Sequence, residues 1–243
     1  MKLFMNFLKY LLVELNFYLF GNKGEIRELF NETAIIKKNK LDSDFCNKAK
    51  ETIDQAIISS EELMWVDEGN SDFRIWGFEK IMPQIEDALN IQKKIKKIED
   101  YGGLKVHDWL IMANKVQFTP DNKGSGGGFH RDSPFTRQVK YIWYLTDVDE
   151  SNGPFCYQKG SNNYNLCDLV NKNFGETRFD WPNQGYISMC LPKGSEIICD
   201  TRSLHGGKPI KHGQRYALTL YTYTKKGGKK EMLKSLGIEF KGD

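Results

Sequence analysis

From residue 104 onward the sequence changes texture: short runs rich in β-branched and aromatic residues recur between clusters of turn-forming residues. Seven such runs, at 104–107, 109–118, 139–146, 155–158, 187–191, 196–200 and 215–224, are parted by clusters such as Ser151-Asn152-Gly153-Pro154, Gly160-Ser161-Asn162 and Pro192-Lys193-Gly194. Proline, glycine and asparagine in such clusters each favour a turn over a continued strand. Many short strands at this spacing predict an antiparallel sandwich, jelly roll or barrel rather than a parallel βαβ sheet. No GxGxxG opens a helix and no GxxxxGK[ST] is present, so nucleotide-binding folds drop out.

The preceding residues read as mainly helical. Residues 1–20 carry Leu3, Phe4, Phe7, Leu8, Leu11, Leu12, Leu15 and Leu19 at helical spacing. Asn6, Lys9, Glu14 and Asn16 interrupt the run, which argues against a membrane span of about 20 apolar residues. No small-residue cleavage site follows, so a signal peptide is not expected. Residues 1–22 are expected to pack on the body of the protein, the alternative being contact with a membrane surface or a partner. Further helices are expected at 25–30, from Asp42 or Ser43 to about 58, and from Pro83 to Gly102-Gly103. Strands are expected at 33–37, 63–66 and 73–78. Residues 23–243 suit one domain with a helical N-terminal part.

Composition narrows the function classes. Lys plus Arg number 35 against 32 for Asp plus Glu, a net charge of +3, which makes no case for nucleic acid as a partner. Five cysteines without CxxC spacing fit neither a disulfide framework nor a structural zinc site, so a reducing, cytoplasmic setting is expected. The lysine clusters at 93–97 and 225–230 read as a solvated helix face and a mobile turn or tail.

The chemistry concentrates at residues 124–132, GSGGGFHRD. On a strand, His130 and Asp132 would share one face and Arg131 the other. A histidine and a carboxylate so placed make two thirds of a 2-His-1-carboxylate facial site for non-haem Fe(II). His205 follows an apolar run and a turn, beside Gly206 and Gly207. Arg215 then opens a β-rich run in which Arg215, Ala217 and Thr219 share a face, with small and polar side chains leaving space for a ligand. His107 reads as a strand-edge residue and His212 as part of a solvated turn.

Asp132, a histidine 73 residues on and an arginine ten beyond that resemble the HxD…H…R pattern of Fe(II)/2-oxoglutarate-dependent dioxygenases. The stretches GGGFHRDS, DESNGPFCYQKGSN and GSEIICDTRSLHGGKP resemble the phytanoyl-CoA dioxygenase-like branch in particular, over roughly residues 104–224. One departure is visible: the usual GSH reads Gly160-Ser161-Asn162, which bears on substrate more than on iron.

The resemblance implies a double-stranded β-helix core, jelly-roll or cupin-like, braced by the N-terminal helices. It implies Fe(II) held by His130, Asp132 and His205, with 2-oxoglutarate and O2 as co-substrates. Arg215 would grip the distal carboxylate of 2-oxoglutarate. Gln117, Asn114 and Thr219 are positional candidates for a second polar contact, or else ordinary strand residues. A regular strand puts Gln117 and Asn114 on opposite faces, and Gln117 is ranked first. Related halogenases replace the carboxylate with a small residue, so Asp132 implies hydroxylation of a small-molecule, lipid or glycan-type substrate, with release of succinate and CO2. Arg131, Arg137 and Arg178 are candidates to meet an anionic group, and residues 162–184 a candidate lid. Two rival readings stand beside this one: a cupin-type metal-dependent isomerase or dioxygenase, which would not need Arg215, and a silent binding barrel, which usually lacks a ligand.

Overall fold

The computed structural model describes residues 2–59, 62–120, 122–164 and 174–238. Twelve strands carry the site: β1 (Ala34–Lys37), β2 (Met64–Val66), β3 (Asp72–Trp76), β4 (Asp108–Gln117), β5 (Phe129–His130), β6 (Val139–Tyr144), β7 (Phe155–Tyr157), β8 (Arg178–Phe179), β9 (Ile187–Ser188), β10 (Glu196–Asp200), β11 (His205–Gly207) and β12 (Gln214–Tyr223). They form a seven-stranded sheet, β1-β10-β6-β12-β4-β3-β2, and a five-stranded sheet, β8-β5-β11-β7-β9. Every strand pair is antiparallel, and the two sheets make a jelly roll.

Alternation along β12, the centre of the larger sheet, sorts the two faces. Tyr216, Leu218 and Leu220 point outward and join Tyr141 and Trp143 in a cluster with the helices, including Cys46, Ala49 and Ile53 of α3 (Ser43–Ser59). Arg215, Ala217, Thr219 and Tyr221 point inward. Register places Ala217 opposite Asn114 and Tyr144, and Thr219 opposite Met112 and Ile142. Ile142, Tyr144 and Ile197 meet Phe155 and Tyr157 of the smaller sheet and Met189 just past its β9, so apolar burial clamps the sheets together on one side. On the other side α6 (Gly228–Ser235) brings Leu233 against Trp76, Leu110 and Met112.

Several expectations are corrected. Residues 104–107 form no strand; the strand begins at Asp108. The helix expected from Pro83 is two, α4 (Ile85–Ala88) and α5 (Ile91–Gly102), because Asn90 between them turns left-handed at φ 51°. Lys225–Lys230 is not a free tail: Gly227 at φ 74° starts α6, and the Lys225 ammonium donates to both Glu231 oxygens. Within 93–97, Lys94 turns inward to Glu196 at 3.0 Å. Helix α1 (Lys2–Phe20) packs on the body through Tyr10, Glu14 and Phe17, while its leucine stripe faces outward. Cys46, Cys156, Cys190 and Cys199 are free thiols; Cys167 and Asp121 lie outside the described residues.

Candidate active site

The smaller sheet brings the two histidines together. His130 of β5 and His205 of β11 are register partners, with ring centroids 4.4 Å apart. Each Nδ1 lies 2.9 Å from a backbone carbonyl, of Gly128 and of Ser203. A carbonyl only accepts, so each Nδ1 carries the proton and each Nε2 presents a lone pair. Both Nε2 atoms face Asp132 Oδ1, at 3.7 and 3.9 Å. The three ligand atoms fall within 4.8 Å of one another, the geometry of a metal site.

Asp132 lies two residues beyond the end of β5, so strand pairing does not hold it. Its backbone N–H donates to Thr201 O at 3.0 Å, which prolongs the extended path and keeps Arg131 on the opposite face. The glycines before the motif have a steric reason. Gly126 sits at φ +89°, where a Cβ would come 2.6 Å from His130 Cε1. Gly206 is crossed by the same loop, and a Cβ there would meet Gly128 O at 2.7 Å. The small residues beside His205 therefore admit the glycine loop rather than leaving open room.

Electrostatics favour neutral imidazoles beside an ionised carboxylate. Burial, reinforced by His205, brings the His130 pKa down to about 3, and burial also lowers that of His205. Burial alone would raise Asp132, but Lys140 and the two histidines hold it below the ordinary carboxylate range. Lys140 Nζ stands 2.7 Å from Asp132 Oδ2 and 4.4 Å from the Tyr221 ring centroid. Its position on β6, opposite Tyr221 of β12, follows from the sheet register.

The triad opens into a cavity of about 280 Å³. Arg215, Asn114, Thr219, Lys140, Tyr144 and Arg74 contribute to its wall. Arg215 is 4% exposed; one guanidinium nitrogen donates to Gly153 O, and its Nε has no hydrogen-bond partner among the described residues. Gln117, ranked above Asn114 from sequence, is corrected. It points away from the cavity and donates to Asn70 O at 3.0 Å, whereas Asn114 points in beside Asp72 and Ser125.

A family model described as phytanoyl-CoA dioxygenase (PhyH) matches residues 63–215. The chain belongs to this family. Phytanoyl-CoA dioxygenases use Fe(II), 2-oxoglutarate and O2, and the chain is a 2-oxoglutarate-dependent enzyme. No curated protein matches the sequence at a significant level. Among solved structures, the chain resembles the α-ketoglutarate-dependent epimerase SnoN from nogalamycin biosynthesis, at 13% identity over 80% of each chain with a TM-score of 0.60. It also resembles the carbocyclase SnoK of the same biosynthesis, at 14% identity over 91% of this chain and 95% of that one, TM-score 0.59. A prolyl hydroxylase from Trichoplax adhaerens is similar at 15% identity over 91% and 96% of the two chains, TM-score 0.55. These likenesses speak to the jelly-roll fold.

Within this member of the phytanoyl-CoA dioxygenase family, the remaining polar candidates separate clearly. Arg131 turns away from the triad and donates to Arg202 O, Ser161 O and the Tyr164 hydroxyl. Arg137 is spent on Glu14 and Asp200, at 3.2 and 3.3 Å. Arg178, at the cavity mouth, donates to Gly126 O. His107 and His212 are exposed and do not line the cavity. Of the candidate lid, 165–173 lies outside the described residues; Thr177 and Arg178 reach the cavity wall. Sequence reasoning missed Lys140, Tyr144 and Arg74. Alternation along 139–144 could have flagged Lys140, an ammonium on the inward face of a strand otherwise apolar.

Proposed function

We propose that this chain is an Fe(II)- and 2-oxoglutarate-dependent hydroxylase acting on a small-molecule, lipid or glycan-type substrate, with release of succinate and CO2. The observation that carries the reading is one cavity holding both the convergent His130–Asp132–His205 atoms and the buried, incompletely satisfied Arg215 guanidinium. Two imidazole nitrogens and one carboxylate oxygen form a donor set that would suit Fe(II). When bound, Fe(II) with 2-oxoglutarate and O2 supplies the oxidising chemistry.

The protein's own groups hold and orient. His130 and His205 offer Nε2, and Asp132 offers Oδ1 while Lys140 occupies Oδ2. Arg215 commits one nitrogen to Gly153 O, and its unpartnered Nε is left to help take the distal carboxylate of 2-oxoglutarate. Beside it, the Tyr144 hydroxyl accepts from Phe155 N–H at 2.9 Å and keeps its own proton for a second donor bond. Asn114 and Thr219 are the cavity-facing candidates for the remaining polar contact. Ile142 and Ala217 of the larger sheet and Phe155 of the smaller one make the apolar part of the wall. An aspartate at 132, where halogenation would need a small residue, supports hydroxylation.

The test is anaerobic addition of Fe(II) and 2-oxoglutarate, read as a visible charge-transfer band, followed by O2 and succinate measurement. Arg215→Ala is expected to raise half-saturation by 2-oxoglutarate at least about tenfold, the loss of a charge-assisted bidentate pair. A wild-type protein that binds neither metal nor co-substrate overturns the reading. Incorporation of 18O from O2 into product distinguishes hydroxylation from epimerisation or ring closure.

A further inference from the structure

Helix α1 wears its polar side chains on the inside. Asn6 donates to Phe174 O at 3.3 Å and Asn16 to Gly103 O at 3.2 Å. Glu14 is 8% exposed and pairs with Arg137 and Arg202. The outward face is the apolar one. Of fourteen large hydrophobic side chains exposed among the described residues, nine lie on this helix, with Leu12 at 67% and Phe4 at 63% exposure. The other five, Ile36, Ile58, Leu104, Phe118 and Ile187, stand singly along the sequence. A continuous apolar face of this kind marks an interaction surface.

The character of that face selects its occupant. At 100° per residue the exposed side chains from Tyr18 through Leu11, Leu15 and Leu8 to Leu12 and Met5 sweep an arc of about 140° with no charged residue in it. A helix-pair seam is narrower and is flanked by charged positions that set register. Glu14, the one acid of α1, is turned inward, and Lys9 is a charge the helix offers outside. Lys23 follows its last turn. Aromatic rings at both ends, Phe4 and then Tyr18 and Phe20, suit the headgroup–acyl boundary. No helix among the described residues is long and apolar enough to cross a membrane. We propose that α1 is an in-plane anchor that docks this enzyme on a lipid bilayer carrying anionic headgroups, its leucine face in the acyl boundary and its lysines at the headgroups.

Flotation of the full chain with vesicles tests this. The wild-type protein is expected to float with vesicles of equal parts phosphatidylcholine and phosphatidylglycerol, and less with phosphatidylcholine alone. Leu12→Glu with Leu15→Glu is expected to lower partitioning at least about tenfold. Ile58→Glu, which removes an isolated apolar side chain 83% exposed elsewhere, is expected to leave it unchanged. Lys9→Glu with Lys23→Glu is expected to weaken binding to the anionic vesicles only. The substituted side chains stand outside the core, so an unchanged unfolding midpoint shows that lost flotation reports the surface. Wild-type protein left in the aqueous fraction overturns the proposal. So does equal flotation of wild type and the double leucine variant. A wild-type dimer in light scattering that Leu12→Glu with Leu15→Glu dissociates, without vesicle binding, would assign the face to a second copy of the chain instead.

Discussion

His130 and His205 are direct partners across the β5–β11 ladder, with each Nδ1 bonded to the carbonyl two residues before it. One hydrogen-bond pattern repeated on two antiparallel strands thus aims two lone pairs at one point. Residues 75 apart in sequence become a pair that could hold a metal through register alone.

The glycine loop should be as important to that pair as the ligands. Gly126→Ala is expected to displace the His130 ring, since the new Cβ would sit 2.6 Å from Cε1 at a φ of +89°. Cobalt(II) titration of the metal-free protein should show affinity reduced about 10–100-fold, the range typical of disturbing a ligand's support. Binding as tight as wild type would show that the loop yields.

Strand parity separates Asn114 from Gln117. Asn114→Ala is expected to raise the half-saturation of 2-oxoglutarate or of prime substrate several-fold. Gln117→Ala, outside the cavity, should leave both unchanged. Equal effects from the two variants would contradict the placement of β4.

Lys140 is the charge partner of Asp132, on the oxygen turned away from the two histidines. Lys140→Met leaves a largely buried carboxylate unpaired and should destabilise the metal-free protein by about 3 kcal/mol. Saturating Co(II) should restore more stability to this variant than to wild type, because the ion then supplies the missing positive charge. Thermal unfolding with and without metal reads both. An equal loss in the two states would mean that Lys140 serves packing only.

Glu14 should make the protein acid-sensitive. Burial raises its carboxyl pKa, but Arg202 and Arg137 outweigh burial and hold it below its ordinary 4.5. A carboxylate depressed by folding contributes stability above its unfolded value, and that contribution is lost as pH falls through the folded one. Glu14→Gln should therefore be less stable than wild type at neutral pH, and the gap should close as pH falls below about 4.5. Chemical denaturation across that range checks it; a pH-independent gap would count against the ion pairs.

Much of the site was legible because its chemistry needs rare residue types at characteristic positions. His130, Asp132, His205 and Arg215 stand out in sequence, and two-residue alternation placed Arg215, Ala217 and Thr219 on one face. The β-rich half was legible for a similar reason, since turn clusters punctuate it. Gln117 was misplaced because parity says only that it and Asn114 differ in face; which of them faces in depends on pairing with β3 and β12. Lys140 was missed because a lysine reads as solvated until a buried carboxylate is set beside it. The inverted α1 was missed because helical periodicity shows that an apolar stripe exists, not where it points.

Local preference and residue chemistry thus determined the strand-rich core and singled out His130, Asp132, His205 and Arg215 as candidate site residues. Tertiary structure decided which faces meet: the register that pairs the histidines, the cation that holds Asp132, and the burial of Glu14 that turns leucines to the outside. Those outcomes depend on contacts between residues distant in sequence, whose energies exist only once the sheets and helices have packed.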